Sequence, residues 1–193
     1  MTERVDLGVC EGRMHDGDPG RVAVLLPGAH YPPAGPLLWF AREVLQQRGW
    51  SVLEVWDAYW DDDGDWVEWA RERARAALGR VTGTRRVIVA KSLSCTAGPV
   101  AAAERVPAVW LTPLLIEPEV VAGFDTVTAP ALLVGGTADP LWDGDAARSI
   151  AGVEVLELDG ADHSLEVPGD LAASTRLLAE VATTIDEFAA AAA

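Results

Sequence analysis

Cysteine is scarce in this chain: only Cys10 and Cys95 occur, in no C-x-x-C spacing. Two cysteines are too few for a disulfide framework, and both are read as reduced thiols. Basic side chains are also in short supply. Fifteen Lys and Arg face 30 Asp and Glu, a formal net charge of −15, and no Lys/Arg-rich patch offsets it. Such a surface repels phosphate backbones and anionic headgroups, so neither nucleic acid nor a membrane is expected as a partner. No apolar run approaches the roughly 18 residues of a membrane span. The opening Met1-Thr2-Glu3-Arg4-Val5-Asp6 lacks the apolar region of a secretory signal, so a soluble cytoplasmic protein is expected. G-x-G-x-x-G and P-loop patterns are absent too, which argues against a purely nucleotide-binding doubly wound fold.

What is present is enough for one core. Half of the 193 residues are hydrophobic, and the expectation is a single domain over 1–193. Strand-like and helix-like runs alternate, which indicates an α/β architecture with a mostly parallel central sheet covered on both faces. The strand candidates are Arg21–Leu26, Ser51–Trp56, Arg86–Ala90, Ala108–Leu111, Ala131–Val134 and Val153–Leu158. Val5–Cys10 is a further edge candidate, with 12–20 as the polar turn that follows. Three apolar stripes at three-to-four-residue spacing predict helices: Leu37, Phe40, Val44 and Leu45; Trp66, Trp69, Ala70, Ala74, Ala77 and Leu78; and Leu171, Leu178, Val181, Ile185 and Phe188. The closing alanines 189–193 have little to bury and are expected to fray.

The most informative stretch is Val87-Ile88-Val89-Ala90-Lys91-Ser92-Leu93-Ser94-Cys95, an apolar β-branched run that breaks at a serine. A nucleophilic serine on a strand-to-helix turn needs small residues two positions either side, and Ala90 and Ser94 qualify. Pro99 should interrupt the helix that follows. Such a serine needs a base and a carboxylate to orient it, and the ends of two later strands offer Asp139 and His163. Rivals exist for each role. Ser92 also suits a helix N-cap; Ser94 and Cys95 are alternative nucleophiles, Cys95 reading more simply as a small buried hydrophobe. His30 is an alternative base, while His15 reads as an exposed turn residue. Asp143 and Asp162 compete with Asp139, although Asp162 adjoins His163, and neighbouring residues pair their side chains poorly.

Four segments together carry a resemblance: the LLPGAH loop (Leu25 to His30), the AKSLS turn, the GTADPLW turn (Gly136 to Trp142) and the GADHS turn (Gly160 to Ser164). Over about 21–188 the chain resembles the α/β-hydrolase superfamily, and within it the small serine hydrolases that lack a lid domain. The resemblance implies Ser92 as nucleophile, His163 as general base and then acid, and Asp139 as the orienting carboxylate. Ala90 and Ser94 depart from the usual G-x-S-x-G, which bears on the strain of the elbow. Lids in this superfamily usually follow the strand that here ends near Trp110. Only a loop with one short helix around 119–122 fits between it and Ala131, so the site should be open or covered by a loop.

The oxyanion of a tetrahedral intermediate needs backbone donors. Leu93 follows the nucleophile, and the Pro27-Gly28-Ala29-His30 turn supplies Ala29, with His30 as its neighbour. Lys91 either adds positive potential there or is a solvated side chain at the sheet edge. Among the eight tryptophans, Trp39, Trp66 and Trp69 follow helical spacing and read as packing. Trp56, Tyr59, Trp60 and Trp142 follow strand ends, where sheet ligands bind. With His30, Tyr31, Leu114 and Leu115 they are candidates to line an apolar acyl or aryl pocket. Asp61-Asp62-Asp63 with Asp65 suits a helix start better than a metal site, because no calcium-loop pattern follows.

The resulting expectation is a hydrolase that cleaves a small ester, thioester or related acyl bond through an acyl-enzyme on Ser92, with no cofactor or metal implied. The small-molecule acyl substrate is the expected partner. Acyl transfer by the same residues, or a non-catalytic binding or scaffold protein on the same fold, are the alternatives.

Overall fold

A computed structural model describes residues 2–60 and 64–192. Eight strands form one sheet: β1 (Thr2–Asp6), β2 (Glu11–His15), β3 (Asp18–Leu26), β4 (Trp50–Trp56), β5 (Arg85–Lys91), β6 (Ala108–Leu111), β7 (Ala131–Gly136) and β8 (Val153–Leu158). Their order across the sheet is β1-β2-β4-β3-β5-β6-β7-β8. The six from β3 onward are parallel, whereas β1 and β2 attach as an antiparallel pair beside β4. Helices α1 (Pro36–Gln47), α2 (Trp66–Arg80), α3 (Gly98–Glu104), α4 (Pro118–Phe124), α5 (Gly144–Ser149) and α6 (Leu171–Ala191) fill the connections.

The near-continuous apolar character of the central strands follows from burial on both faces. On one face Ala23, Leu25, Val87, Val89 and Val109 pack under α1 and α6. On the other, Val24, Leu26, Ile88 and Trp110 pack under α2, α3 and α4. Neighbours β4 and β5 flank β3 on opposite sides, so the connections leaving β3 and β5 diverge. The carboxyl ends of β3 and β5 are therefore the switch point of the sheet, the place where open α/β sheets bind ligands.

Several expectations need correction. The first strand is not Val5–Cys10: β1 ends at Asp6, residues 7–10 form the turn, and the stretch 12–20, read as a polar turn, holds most of β2 and the start of β3. The β2 sequence EGRMH lacks apolar alternation: Glu11 is exposed, Arg13 lies over the Trp56 ring and His15 turns in to Glu54 of β4. His15, expected in solvent, is buried, with Nε2 3.0 Å from Glu54 Oε2. In α1 the buried stripe is Leu37, Leu38, Ala41 and Leu45, while Trp39 and Phe40 face outward and stack edge to face at 4.8 Å. Leu171 stands in solvent at the first turn of α6, and Ala189 is buried near its far end, with the helix continuing to Ala191. Asp65 caps α2 by accepting from the amides of Val67 and Glu68, as an Asp-led helix start should; Asp61, Asp62 and Asp63 lie outside the described residues. Among the described residues no helix is long and apolar enough to cross a membrane.

Candidate functional site

Strand β5 ends at Lys91, and the chain turns at once into a 3-10 segment, Ser92–Ala97, before α3 begins with Pro99 at its first turn. Pro99 thus separates the two helical pieces, since its ring fits only a helix start. At the turn Ser92 takes φ 55°, a left-handed conformation that costs a non-glycine residue of order 1 kcal/mol or more. The strain lifts its side chain out of the sheet towards the loop after β8. There His163 Nε2 lies 2.8 Å from Ser92 Oγ, and His163 Nδ1 lies 2.7 Å from Asp139 Oδ2. Asp139 itself comes from the turn after β7. Its side chain is fully buried, and its other oxygen accepts from the amide of Leu141 at 2.9 Å.

Three strand ends therefore bring a hydroxyl, an imidazole and a carboxylate into one hydrogen-bonded line. Asp139 accepting at Nδ1 favours the tautomer that carries its proton there, which leaves Nε2 free to accept from Ser92. The turns that hold these groups are packed without slack. A Cβ placed on Gly136, at the end of β7, would sit 2.1 Å from the carbonyl oxygen of Ala161, so only glycine lets the two turns touch.

The rivals have other duties. Ser94 donates its hydroxyl to the carbonyl of Pro27, tying the elbow to the loop after β3. Cys95 is buried beneath the elbow, and that burial pushes its thiol far above the usual range. Asp162 accepts from the amides of Ser164 and Glu166, closing the turn that carries His163. Asp143 caps α5.

Oxyanion candidates Ala29 and Leu93 join Tyr59, Trp66, Trp69 and Ala70 in one small apolar cluster. Gly28 and Tyr31 exchange both backbone hydrogen bonds, at 3.0 and 3.2 Å, leaving Ala29 and His30 at the tip of a tight loop. A Cβ on Gly28 would lie 3.3 Å from that of Ser92, so this backbone runs directly beside the serine. His30, at φ 53°, meets the edge of Trp60 at 4.8 Å, and Trp60 is 57% exposed at the rim.

The other pocket candidates sit deeper. Tyr31 is half-buried; its hydroxyl accepts from the amide of Leu37, and burial raises its pKa. Leu114 is half-buried against the core, and Leu115 lies within it. Trp142 packs its indole over Gly135 and donates to Glu157 at 2.7 Å, so it serves the core and not a cleft. No group of three or more His, Cys, Asp or Glu among the described residues is disposed to hold a metal ion.

No family model matches the sequence, and no curated protein matches it at a significant level. Solved structures do. Est1E from Butyrivibrio proteoclasticus, with ferulic acid bound, superposes with a TM-score of 0.76 at 14% identity, covering 96% of this chain and 97% of its own. Dienelactone hydrolase from Anabaena variabilis gives 0.76 at 19% identity over 97% and 95%. The Pyrococcus furiosus esterase Pf2001 gives 0.68 at 14% identity over 97% and 91%. The chain has the α/β-hydrolase fold.

In this α/β-hydrolase fold Lys91 also contributes to the site, in a way the local sequence does not reveal. Of its two expected roles, a source of positive potential or a solvated side chain at the sheet edge, the second fails, because Lys91 is 1% exposed. Its ammonium donates to the carbonyl of His163 at 2.8 Å and to the hydroxyl of Thr112, and it lies 5.2 Å from the ring centre of Tyr31. Burial lowers its pKa from 10.5 to about 8. A compositional signal for it did exist: Lys91 is the only lysine in a chain whose other basic residues are all arginine.

Proposed function

We propose that this protein is a serine hydrolase that cleaves a small ester, thioester or related acyl bond through an acyl-enzyme on Ser92. The observation that carries this reading is the unbroken line from Ser92 Oγ through His163 to Asp139, at 2.8 and 2.7 Å, on a serine held at φ 55°. As His163 Nε2 accepts the hydroxyl proton, Ser92 Oγ adds to the acyl carbonyl carbon. Asp139 stabilises the imidazolium through Nδ1–H. The amides of Leu93 and Ala29 are the donors assigned to the oxygen that becomes negative, a contribution commonly worth about 3 kcal/mol per donor. The tetrahedral adduct collapses, and His163 returns the proton to the leaving group. Water, deprotonated by His163, then hydrolyses the acyl-enzyme.

Est1E with bound ferulic acid, the dienelactone hydrolase and the esterase Pf2001 share this fold, which favours ester or lactone substrates here. The aromatic rim of His30 and Trp60 suits an acyl or aryl group lying beside the oxyanion loop. A fluorophosphonate probe tests the reading directly. Covalent labelling should map to Ser92 and vanish in Ser92→Ala, and a folded wild-type sample that fails to label would remove the hydrolase from consideration. A panel of acyl chain lengths on ester and thioester leaving groups, run beside the same control, then defines the substrate.

A further inference from the structure

The side chain of Lys91 leaves the end of β5 and runs inward, beneath the elbow. A buried ammonium needs partners, and its two hydrogen-bond acceptors are both neutral: the backbone carbonyl of His163 and the hydroxyl of Thr112. Thr112 opens the loop after β6 in a left-handed conformation, φ 47°, with its amide bonded to the carbonyl of Val134. One side chain thus ties the loops that follow β5, β6 and β8. His163 itself lies in a turn outside any helix or strand, so the position of its ring depends on what holds that turn.

We propose that Lys91 is a positioning residue: its ammonium fixes the backbone of His163 so that the imidazole reaches Ser92 Oγ, and activity is lost when that tie is cut. The proposal rests on the reading of Ser92 and His163 as nucleophile and base. Arginine, used for every other cation of the chain, is a wide fork suited to paired carboxylate oxygens, whereas a single carbonyl and a single hydroxyl at a turn suit a compact ammonium.

The groups facing Lys91 come from every surrounding element. Asp139 from the turn after β7 and Asp162 from the turn after β8 favour its charge, as does Cys95 beneath the elbow whenever it ionises; His163 and Tyr31 complete the shell. Burial outweighs these and brings the ammonium to about 8, while Cys95 stays protonated. Above that pH the bonds to His163 and Thr112 lose their charge assistance and weaken. Wild-type turnover should therefore decline on the alkaline side.

The experiment follows p-nitrophenyl acetate hydrolysis between about pH 6 and 10 in wild type, Lys91→Met and Thr112→Val, together with fluorophosphonate labelling. Because Lys91 is the only lysine, ¹³Cε-lysine labelling gives one NMR resonance whose titration reads its pKa. The expected results are a kcat about a hundredfold lower in Lys91→Met with KM little changed, and a wild-type alkaline limb that coincides with the ¹³Cε midpoint and is missing from the methionine variant. In Thr112→Val, which keeps the lysine but removes one acceptor, limb and midpoint should move together to lower pH. This arm stands even if Lys91→Met fails to fold. Full activity with an unchanged limb in Lys91→Met, or a limb that ignores the ¹³Cε midpoint, would overturn the proposal. If wild type neither labels nor turns over, the hydrolase reading falls separately. The tie is then judged by the downfield proton of the His163–Asp139 hydrogen bond: its loss in Lys91→Met supports the tie, and its persistence refutes it.

Discussion

The stability of Lys91→Met against wild type, followed as a function of pH, probes the buried ammonium without any substrate. The unfolded chain holds the lysine proton up to about 10.5, whereas the folded protein releases it near 8. Between those values the unfolded state binds the extra proton, so the folding stability of wild type rises with pH. Below pH 8 both states are protonated, and the folded protein carries the whole cost of a desolvated charge. At about 1.4 kcal/mol per pH unit, the interval from about 8 to 10.5 corresponds to about 3 kcal/mol, most of it recovered by pH 10. Methionine cannot titrate, so groups shared by the two proteins cancel in the difference. Urea melts at pH 7 and pH 10 should show the wild-type midpoint gaining on the variant by about 1 M, taking a slope near 2 kcal/mol per M. Midpoints that run parallel over this range would mean that folded Lys91 keeps its proton as long as the unfolded chain does, as a solvated ammonium would, and the reasoning would fail. The direction matters as much as the size, because wild type becomes more stable over the same interval in which its turnover is expected to fall. Alkaline inactivation would then not be unfolding.

Further outcomes follow from individual contacts. Asp139→Asn should leave the fold intact and reduce kcat by about 10³- to 10⁴-fold, because the amide no longer enforces the tautomer with its proton on Nδ1; steady-state kinetics on the best ester of the panel check this. Gly136→Ala puts a methyl 2.1 Å from the Ala161 carbonyl and separates the acid and histidine turns; activity should fall at least about tenfold with a lower melting temperature, and a fully active, equally stable variant would contradict the packing. Ser94→Ala leaves the carbonyl of Pro27 without its donor; a loss of about 1–3 kcal/mol in urea unfolding is expected, with fluorophosphonate still labelling Ser92. In Arg42→Ala the buried Glu54 is left, among the described residues, with His15 and Trp56 as partners, and calorimetry should register a loss of about 3 kcal/mol.

The central strands and the three groups of the site were legible because each obeys a local rule. An apolar run buried on both faces shows in the sequence whatever the neighbours are, and Ser92 and Asp139 each sit just past the end of such a run, while His163 follows β8, an edge strand of mixed Val, Leu and Glu. What escaped was decided by contacts distant in sequence. In the strand Glu11–His15 the buried His15 pairs with a buried carboxylate on β4, and nothing within five residues of His15 reveals Glu54. The burial of Lys91 was hidden for a similar reason. A lysine beside a surface turn normally reaches water, and only the loops from β6 and β8, arriving 21 and 72 residues later, close over it. Trp39 and Trp142 illustrate the limit of spacing alone: the first keeps helical period yet faces outward, and the second follows a strand end yet lies in the core.

The segment from Pro113 to Pro130 gives neither hydroxyl, imidazole nor carboxylate to the line from Ser92 to Asp139, and among the described residues the Thr112 hydroxyl just before it is the polar tie to Lys91. Chemistry and coverage are in this way assigned to different stretches of chain. A protein engineer could graft a longer cap between Pro113 and Pro130, reshaping which molecules gain entry, while the reacting atoms stay where the sheet has put them.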